Sequence, residues 1–368
     1  MIHLARPEIS ADAVRADIEA ILASGTLTNG PYRDRFEQLI AERAGSAHAL
    51  ATTSATTALH LTLATAGIGP GDAVLVADFT FPASVNVVIQ TGATPVLVDI
   101  DLDTFTIDID DAESKITPAC KAIMPVDTFG APARLSELRA LAAAHGLLLV
   151  EDAACSLGAT YDGRPAGSFG VGCFSFHPRK SITTGEGGAL TSDDAGFADR
   201  ARMLRSHGGA SGEFYQHFVA PGFNYRMSEI QAALGIAGIA RLDEILAGRR
   251  AAAARYDAAL EHLPVQTPAA HANATHTYQT YAVLLGEGID RDDVIRRMRA
   301  RDVETTLGTY AVHAEPYMEA LGYRPGELAQ SYAAYKRTLA LPLWSQITPD
   351  EQDQVVEALR DALKEASS

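Results

Sequence analysis

The chain has 368 residues, which is enough for two packed domains rather than one small core. Apolar residues make up 47% and charged residues 21%, and no stretch is long and apolar enough to cross a bilayer, so the composition predicts a soluble protein. The net charge of -16 disfavours a nucleic-acid partner, which needs clustered Lys and Arg. The first residues lack the basic and apolar pattern of a secretory signal, and cytoplasmic residence is the expectation. Cys120, Cys155 and Cys173 form no C-x-x-C pair and suggest neither a disulfide framework nor a metal site.

Residues 53–61 place small and hydroxyl side chains where an amphipathic helix begins. Free N–H groups at such an end favour a phosphate dianion, although an ordinary Ser or Thr cap has the same look. The apolar run 73–77 leads into Asp78-Phe79-Thr80-Phe81-Pro82, whose aromatics could face a ligand or pack in the core. Further runs at 94–98, 122–126 and 147–150 alternate with helical patterns, the signature of a mainly parallel sheet covered by helices. The run at 147–150 ends at Glu151-Asp152, so Asp152 is expected at the carboxyl end of a buried strand, the edge where open α/β sheets bind ligands.

Residues 174–188 set Lys180 among apolar, hydroxyl and glycine residues. A desolvated lysine can be neutral and nucleophilic, as a Schiff base with a cofactor aldehyde requires. Pyridoxal 5'-phosphate (PLP) also needs a carboxylate at its ring nitrogen, a phosphate site and an apolar ring face. Asp152, the 53–61 segment and Phe81 offer these in one order along the chain, which turns individually weak signals into a single predicted pocket. Beyond it, one long amphipathic helix is expected from 228 past 250. A second domain is expected from about 245, giving domains 1–245 and 246–368. Thr348 and Glu351 have capping-box spacing before a terminal helix.

Several motifs in order carry a resemblance: Gly25-Thr26-Leu27-Thr28-Asn29-Gly30-Pro31, Glu151-Asp152-Ala153-Ala154, residues 175–188, Gly222-Phe223-Asn224-Tyr225-Arg226-Met227-Ser228-Glu229, and Leu339-Ala340-Leu341-Pro342-Leu343. With them the chain resembles the DegT/StrS-type PLP-dependent sugar aminotransferases over nearly its whole length. The resemblance implies the fold type I architecture: an α/β domain with a mainly parallel seven-stranded sheet between helices, plus a smaller α+β C-terminal domain. It implies that Lys180 holds the cofactor and shuttles the proton, that Asp152 pairs with the ring nitrogen and that Phe81 stacks on the ring. Ala55, Thr56 and Ser175 would contact the phosphate, and Asn224 would reach it from the partner subunit of a homodimer with shared active sites. The resemblance also implies that Arg226, Tyr310 and His313 fall in segments that shape the acceptor pocket in relatives.

Four positions depart from the family pattern. Ala55 replaces a glycine of the phosphate turn, Cys155 replaces His or Gln near the ring, Asp127 replaces His, and Gly170-Val171-Gly172 is one residue short. The implied activity moves an amino group from L-glutamate, through pyridoxamine 5'-phosphate, to a keto group on a nucleotide-linked deoxysugar. A keto-cyclitol is the nearest alternative acceptor. Lys180 argues against the related dehydratases, which carry histidine there, and the charge balance argues against a PLP-binding regulator.

Overall fold

The computed structural model describes residues 1–212 and 214–366. Seven short apolar runs form its central sheet: β1 (His48–Thr52), β2 (Ala73–Ala77), β3 (Thr94–Val98), β4 (Cys120–Met124), β5 (Leu148–Asp152), β6 (Val171–Ser175) and β7 (Gly188–Ser192). They lie in the order β1-β7-β6-β5-β4-β2-β3. β2 to β6 run parallel to one another, and β7 is antiparallel to both β6 and β1. The expected run at 122–126 pairs two residues earlier, as Cys120–Met124, because Pro125 has no N–H for a ladder bond.

The sheet is buried on both faces, which explains why its strands are continuously apolar rather than alternating. Val74 and Val76 join a core with Leu59, Leu61 and Val85, while Leu75 and Ala77 face Leu135, Leu138 and Ala142 on the other side. The covering helices are α1 (Ala11–Ser24), α2 (Pro31–Ala44), α3 (Ala55–Ala66), α4 (Ala83–Gln90), α5 (Leu135–His145), α6 (Ala195–Arg205), α7 (Glu229–Ala240) and α8 (Leu242–Leu260). The helix expected from 228 past 250 is two helices, broken at Arg241 with φ -108° and ψ 1°. The break lets α8 serve two cores: Leu242, Ile245 and Leu246 pack below the sheet, and Ala253, Tyr256 and Leu260 pack in the C-terminal part.

That part is built on β8 (Tyr281–Leu285) and β9 (Thr338–Leu341), flanked by two-residue strands in a four-stranded sheet, with α9 (Arg291–Ala300), α10 (Ala329–Arg337) and α11 (Pro349–Ala366). The Thr348 hydroxyl accepts from Glu351 N–H at 3.2 Å and the Glu351 carboxylate accepts from Thr348 N–H at 2.9 Å, so the capping box forms as expected. Among the described residues no helix is long and apolar enough to cross a membrane. The parallel strands deliver their carboxyl ends to one edge, and the antiparallel β7 begins at that same edge with Gly188.

Candidate active site

A cavity of about 290 Å³ opens at this edge. Of the residues expected to make the site, Ala55, Thr56, Phe81, Asp152, Cys155, Ser175 and Lys180 line it. They come from four segments of the chain and meet because the strands that lead into them end side by side.

One end of the cavity is the N-terminus of α3. Ser54 caps it, accepting from Thr57 N–H at 3.1 Å, and Thr57 returns a hydroxyl to Ser54 N–H at 3.0 Å. Ala58 N–H already bonds to Ser54 O, which leaves Ala55 and Thr56 as the open donors of the first turn. Ala55 begins the helix in place of the expected glycine, so its N–H remains available. The turn is seated on Gly188, where a Cβ would lie 2.3 Å from Ser54 C and 2.5 Å from Ala55 N. Together these groups form a cradle for a dianion.

Asp152, 5% exposed, forms the floor. The Ser84 hydroxyl donates to its Oδ2 at 2.6 Å and Ala154 N–H to its Oδ1 at 3.2 Å. Burial pushes this carboxyl above its ordinary value, opposed by the Ser84 hydroxyl, the Ala154 N–H and the charge of Lys180. A buried acid in that state fits a protonated ring nitrogen, which would supply the missing counter-charge. Lys180 Nζ donates to Cys155 Sγ at 3.0 Å, so the thiol occupies the place of the larger His or Gln and holds the amine inside the cavity. Phe81, 62% exposed, stands at the opening with its ring 6.3 Å from that of Tyr310, whereas Phe79 is fully buried in the core.

The other departures are accommodated. Asp127 does not line the cavity: it is buried, accepting from Ala133 N–H at 3.0 Å and from the Ser156 hydroxyl at 2.5 Å, with its pKa pushed up to about 7 by burial. The short turn before β6 closes because Gly170 and Gly172 leave no side chain where Leu149 O and Gly167 Cα approach within 2.2 Å and 2.5 Å of an added Cβ.

His313 is a correction to the expected acceptor contacts. Its side chain is fully buried, Nδ1 lies 2.6 Å from Asp78 Oδ2, and Nε2 accepts from Gly326 N–H at 3.1 Å. Both ring nitrogens are engaged, which ties the His313 segment to the end of β2, outside the cavity lining. Tyr310 and Arg226 are not among the lining residues; their backbones pair with Thr80 and Thr52, beside the lining positions Phe81 and Ser54. Asn224 is exposed and outside its own chain's cavity. Sequence reasoning missed Ser84, His177, Arg179 and Gln279. Ser84 offered only its spacing of four from Thr80, whose hydroxyl it meets at 3.0 Å.

The sequence profile of the DegT/DnrJ/EryC1/StrS aminotransferase family matches residues 8–360. The chain belongs to this family. Among DegT/DnrJ/EryC1/StrS relatives, a GDP-perosamine synthase of Caulobacter vibrioides is 39% identical, covering 97% of this chain and 99% of that protein. The spore coat polysaccharide biosynthesis protein SpsC of Bacillus subtilis is 37% identical, over 95% and 94%. The solved PMP-form of the putative sugar aminotransferase Spr1654 from Streptococcus pneumoniae superposes with a TM-score of 0.94 at 27% identity, covering 100% of this chain and 98% of that one. A PLP-form of Spr1654 is also solved. The protein is a fold type I, PLP-dependent aminotransferase. Its cavity fits that cofactor: N–H donors at the α3 end, a buried acid at the floor and an amine beside it.

Proposed function

We propose that the enzyme transfers an amino group from L-glutamate to the keto group of a nucleotide-linked deoxysugar, using Lys180, in a homodimer of the cytoplasm. The observation that carries this reading is that Lys180 Nζ and the Asp152 carboxylate share one cavity with the open donors of α3. PLP, when bound, supplies an aldehyde that carries the amino group and a ring that withdraws electrons from the carbon losing its proton. Asp152 holds the proton of the ring nitrogen, with Ser84 orienting the carboxylate. Ala55, Thr56 and Ser175 bind the phosphate, and Phe81 covers the ring and excludes water. Lys180 Nζ takes the α-proton from the donor and returns it one position along, and Cys155 Sγ steadies the amine between these steps.

A nucleotide-linked acceptor is supported by the relative named for a GDP-linked amino sugar, which is similar over nearly the whole chain. The homodimer is supported by the hairpin of Gly209–Ser211 and Gln216–Phe218, where Phe214, Tyr215 and Phe218 are 85%, 69% and 68% exposed. Apolar side chains this open favour burial against a second copy. Asn224 is exposed and bridges to Ser206 close to this hairpin, while its neighbours Phe223 and Tyr225 stack together and turn inward against His60. Such an outward Asn224 suits a contact with the partner's phosphate site. Cytoplasmic residence is supported by three unpaired thiols, two of them buried.

The test is the visible spectrum of the PLP-loaded enzyme before and after L-glutamate, with Lys180→Ala alongside. The wild type is expected to lose the absorption of lysine-bound cofactor on adding glutamate and to regain it with a nucleotide-linked keto-sugar. Regain with a keto-cyclitol alone would move the acceptor assignment, and an unchanged spectrum with glutamate would overturn the donor.

A further inference from the structure

The cavity described above has a second cation besides Lys180. Arg179 lines its mouth, yet its guanidinium makes no hydrogen bond or ion pair with any described residue. Its backbone is the opposite case. Arg179 N–H donates to His177 Nδ1 at 3.2 Å, and Arg179 O accepts from Gln279 Nε2 at 3.0 Å. The segment bearing Gln279 is fixed in turn: buried Arg249 donates to the carbonyls of Tyr278 and Gln279, both at 3.2 Å, and the Tyr278 ring stacks on His276 with centroids 4.1 Å apart. The backbone at Arg179 is held while its exposed guanidinium stays available to an anion, which it can meet through paired N–H donors at the cost of its rotamer freedom.

The surrounding charge makes this position specific. Among the described residues lining the cavity, Arg179 and Lys180 carry the basic side chains other than His177, and Lys180 is engaged with Cys155. Glu186 lines the same cavity, and among the described residues no ion pair joins it to Arg179. In a chain of net charge -16, an anionic reactant approaching this opening meets Arg179 as its available partner. We infer that Arg179 recognises an anionic group of the reactant that lies outside the cofactor pocket, either a phosphate of the acceptor or the distal carboxylate of the donor. This deepens the proposed function and rests on its anionic donor and nucleotide-linked acceptor.

The experiment uses the PLP-loaded enzyme and its Arg179→Gln and Arg179→Lys variants. Binding of inorganic pyrophosphate is measured by calorimetry, and the L-glutamate half-reaction is followed by cofactor absorption. If the acceptor phosphate is the partner, pyrophosphate affinity falls about tenfold to a hundredfold in Arg179→Gln, recovers in part in Arg179→Lys, and the glutamate KM is unmoved. If the donor carboxylate is the partner, the glutamate KM rises by that factor while the limiting rate is kept. Either result supports the inference and identifies the source of the anion. Pyrophosphate affinity and glutamate KM both within about twofold of wild type in Arg179→Gln would overturn it. Failure of the wild type to react with glutamate is a separate result that counts against the proposed donor, and the pyrophosphate arm still decides the role of Arg179: loss of binding in Arg179→Gln supports it, and unchanged or absent binding overturns it.

Discussion

Replacing Ser84 by Ala tests how the cavity floor is held. The Ser84 hydroxyl is 2.6 Å from Asp152 Oδ2, and Ser84 is 1% exposed, so no water replaces it without rearrangement. A hydrogen bond to a charged, buried acceptor is worth about 1.5–3 kcal/mol, whereas the lost volume is a single oxygen. The hydroxyl stabilises the ionised carboxyl, so its removal pushes Asp152 further above its ordinary value, in the direction burial already drives it. An acid that has become neutral no longer attracts a protonated ring nitrogen. Titration of the cofactor-free variant with PLP should therefore give an affinity about tenfold to a hundredfold below wild type. The pH at which the bound cofactor changes its absorption should move as well. Unchanged affinity together with an unchanged pH profile would refute the reasoning, because it would mean that Asp152 does not depend on Ser84 for its charge.

Gly188→Ala forces a Cβ to within 2.3 Å of Ser54 C, displacing the α3 turn; a fall of about tenfold or more in PLP affinity is expected, with about 1–3 kcal/mol of lost stability seen by denaturant titration. Asp127, raised to about 7 from 3.8, binds its proton more tightly folded than unfolded, so its contribution to stability falls as pH rises across that window. Asp127→Asn removes this dependence: the variant should gain unfolding free energy over wild type at about pH 8, on the order of 4 kcal/mol at most and seen as a higher melting temperature, and lose the advantage towards about pH 4. An equal gain at both pH values would mean that titration is not the cause. Arg205, whose Nη1 donates to Glu37 at 2.5 Å and Ala51 O at 2.6 Å, is 1% exposed. Arg205→Ala removes the buried cation from Glu37, which keeps only the Ala51 N–H at 2.9 Å and Arg33 at 4.0 Å, and should cost about 3–5 kcal/mol of unfolding free energy.

Much of the site was legible because its signals are local. A buried strand that ends in an acid, Asp152, needs only an apolar run and a polar stop. The α3 cap needs only Ser54 and Thr57 three residues apart, and the glycines around Lys180 mark a backbone that packs too closely for side chains, as Gly188 does against Ser54. The break at Arg241 escaped detection because the apolar periodicity runs through it; the chain bends there to serve two cores, and periodicity carries no record of which core a turn will meet. His313 escaped for a related reason. Its partner Asp78 lies 235 residues away, and a histidine on a loop reads the same whether its nitrogens are free or taken.

The amino-acid order by itself determined the kind of chemistry, since the phosphate cap, the acid and the lysine are each specified within a few neighbouring residues. Tertiary structure alone decided which side chains surround that chemistry. Ser84 beneath Asp152, Cys155 against Lys180, His313 locked away and an Arg179 guanidinium without a partner among the described residues are outcomes of long-range packing, in which burial and competition among donors and acceptors depend on groups remote along the chain.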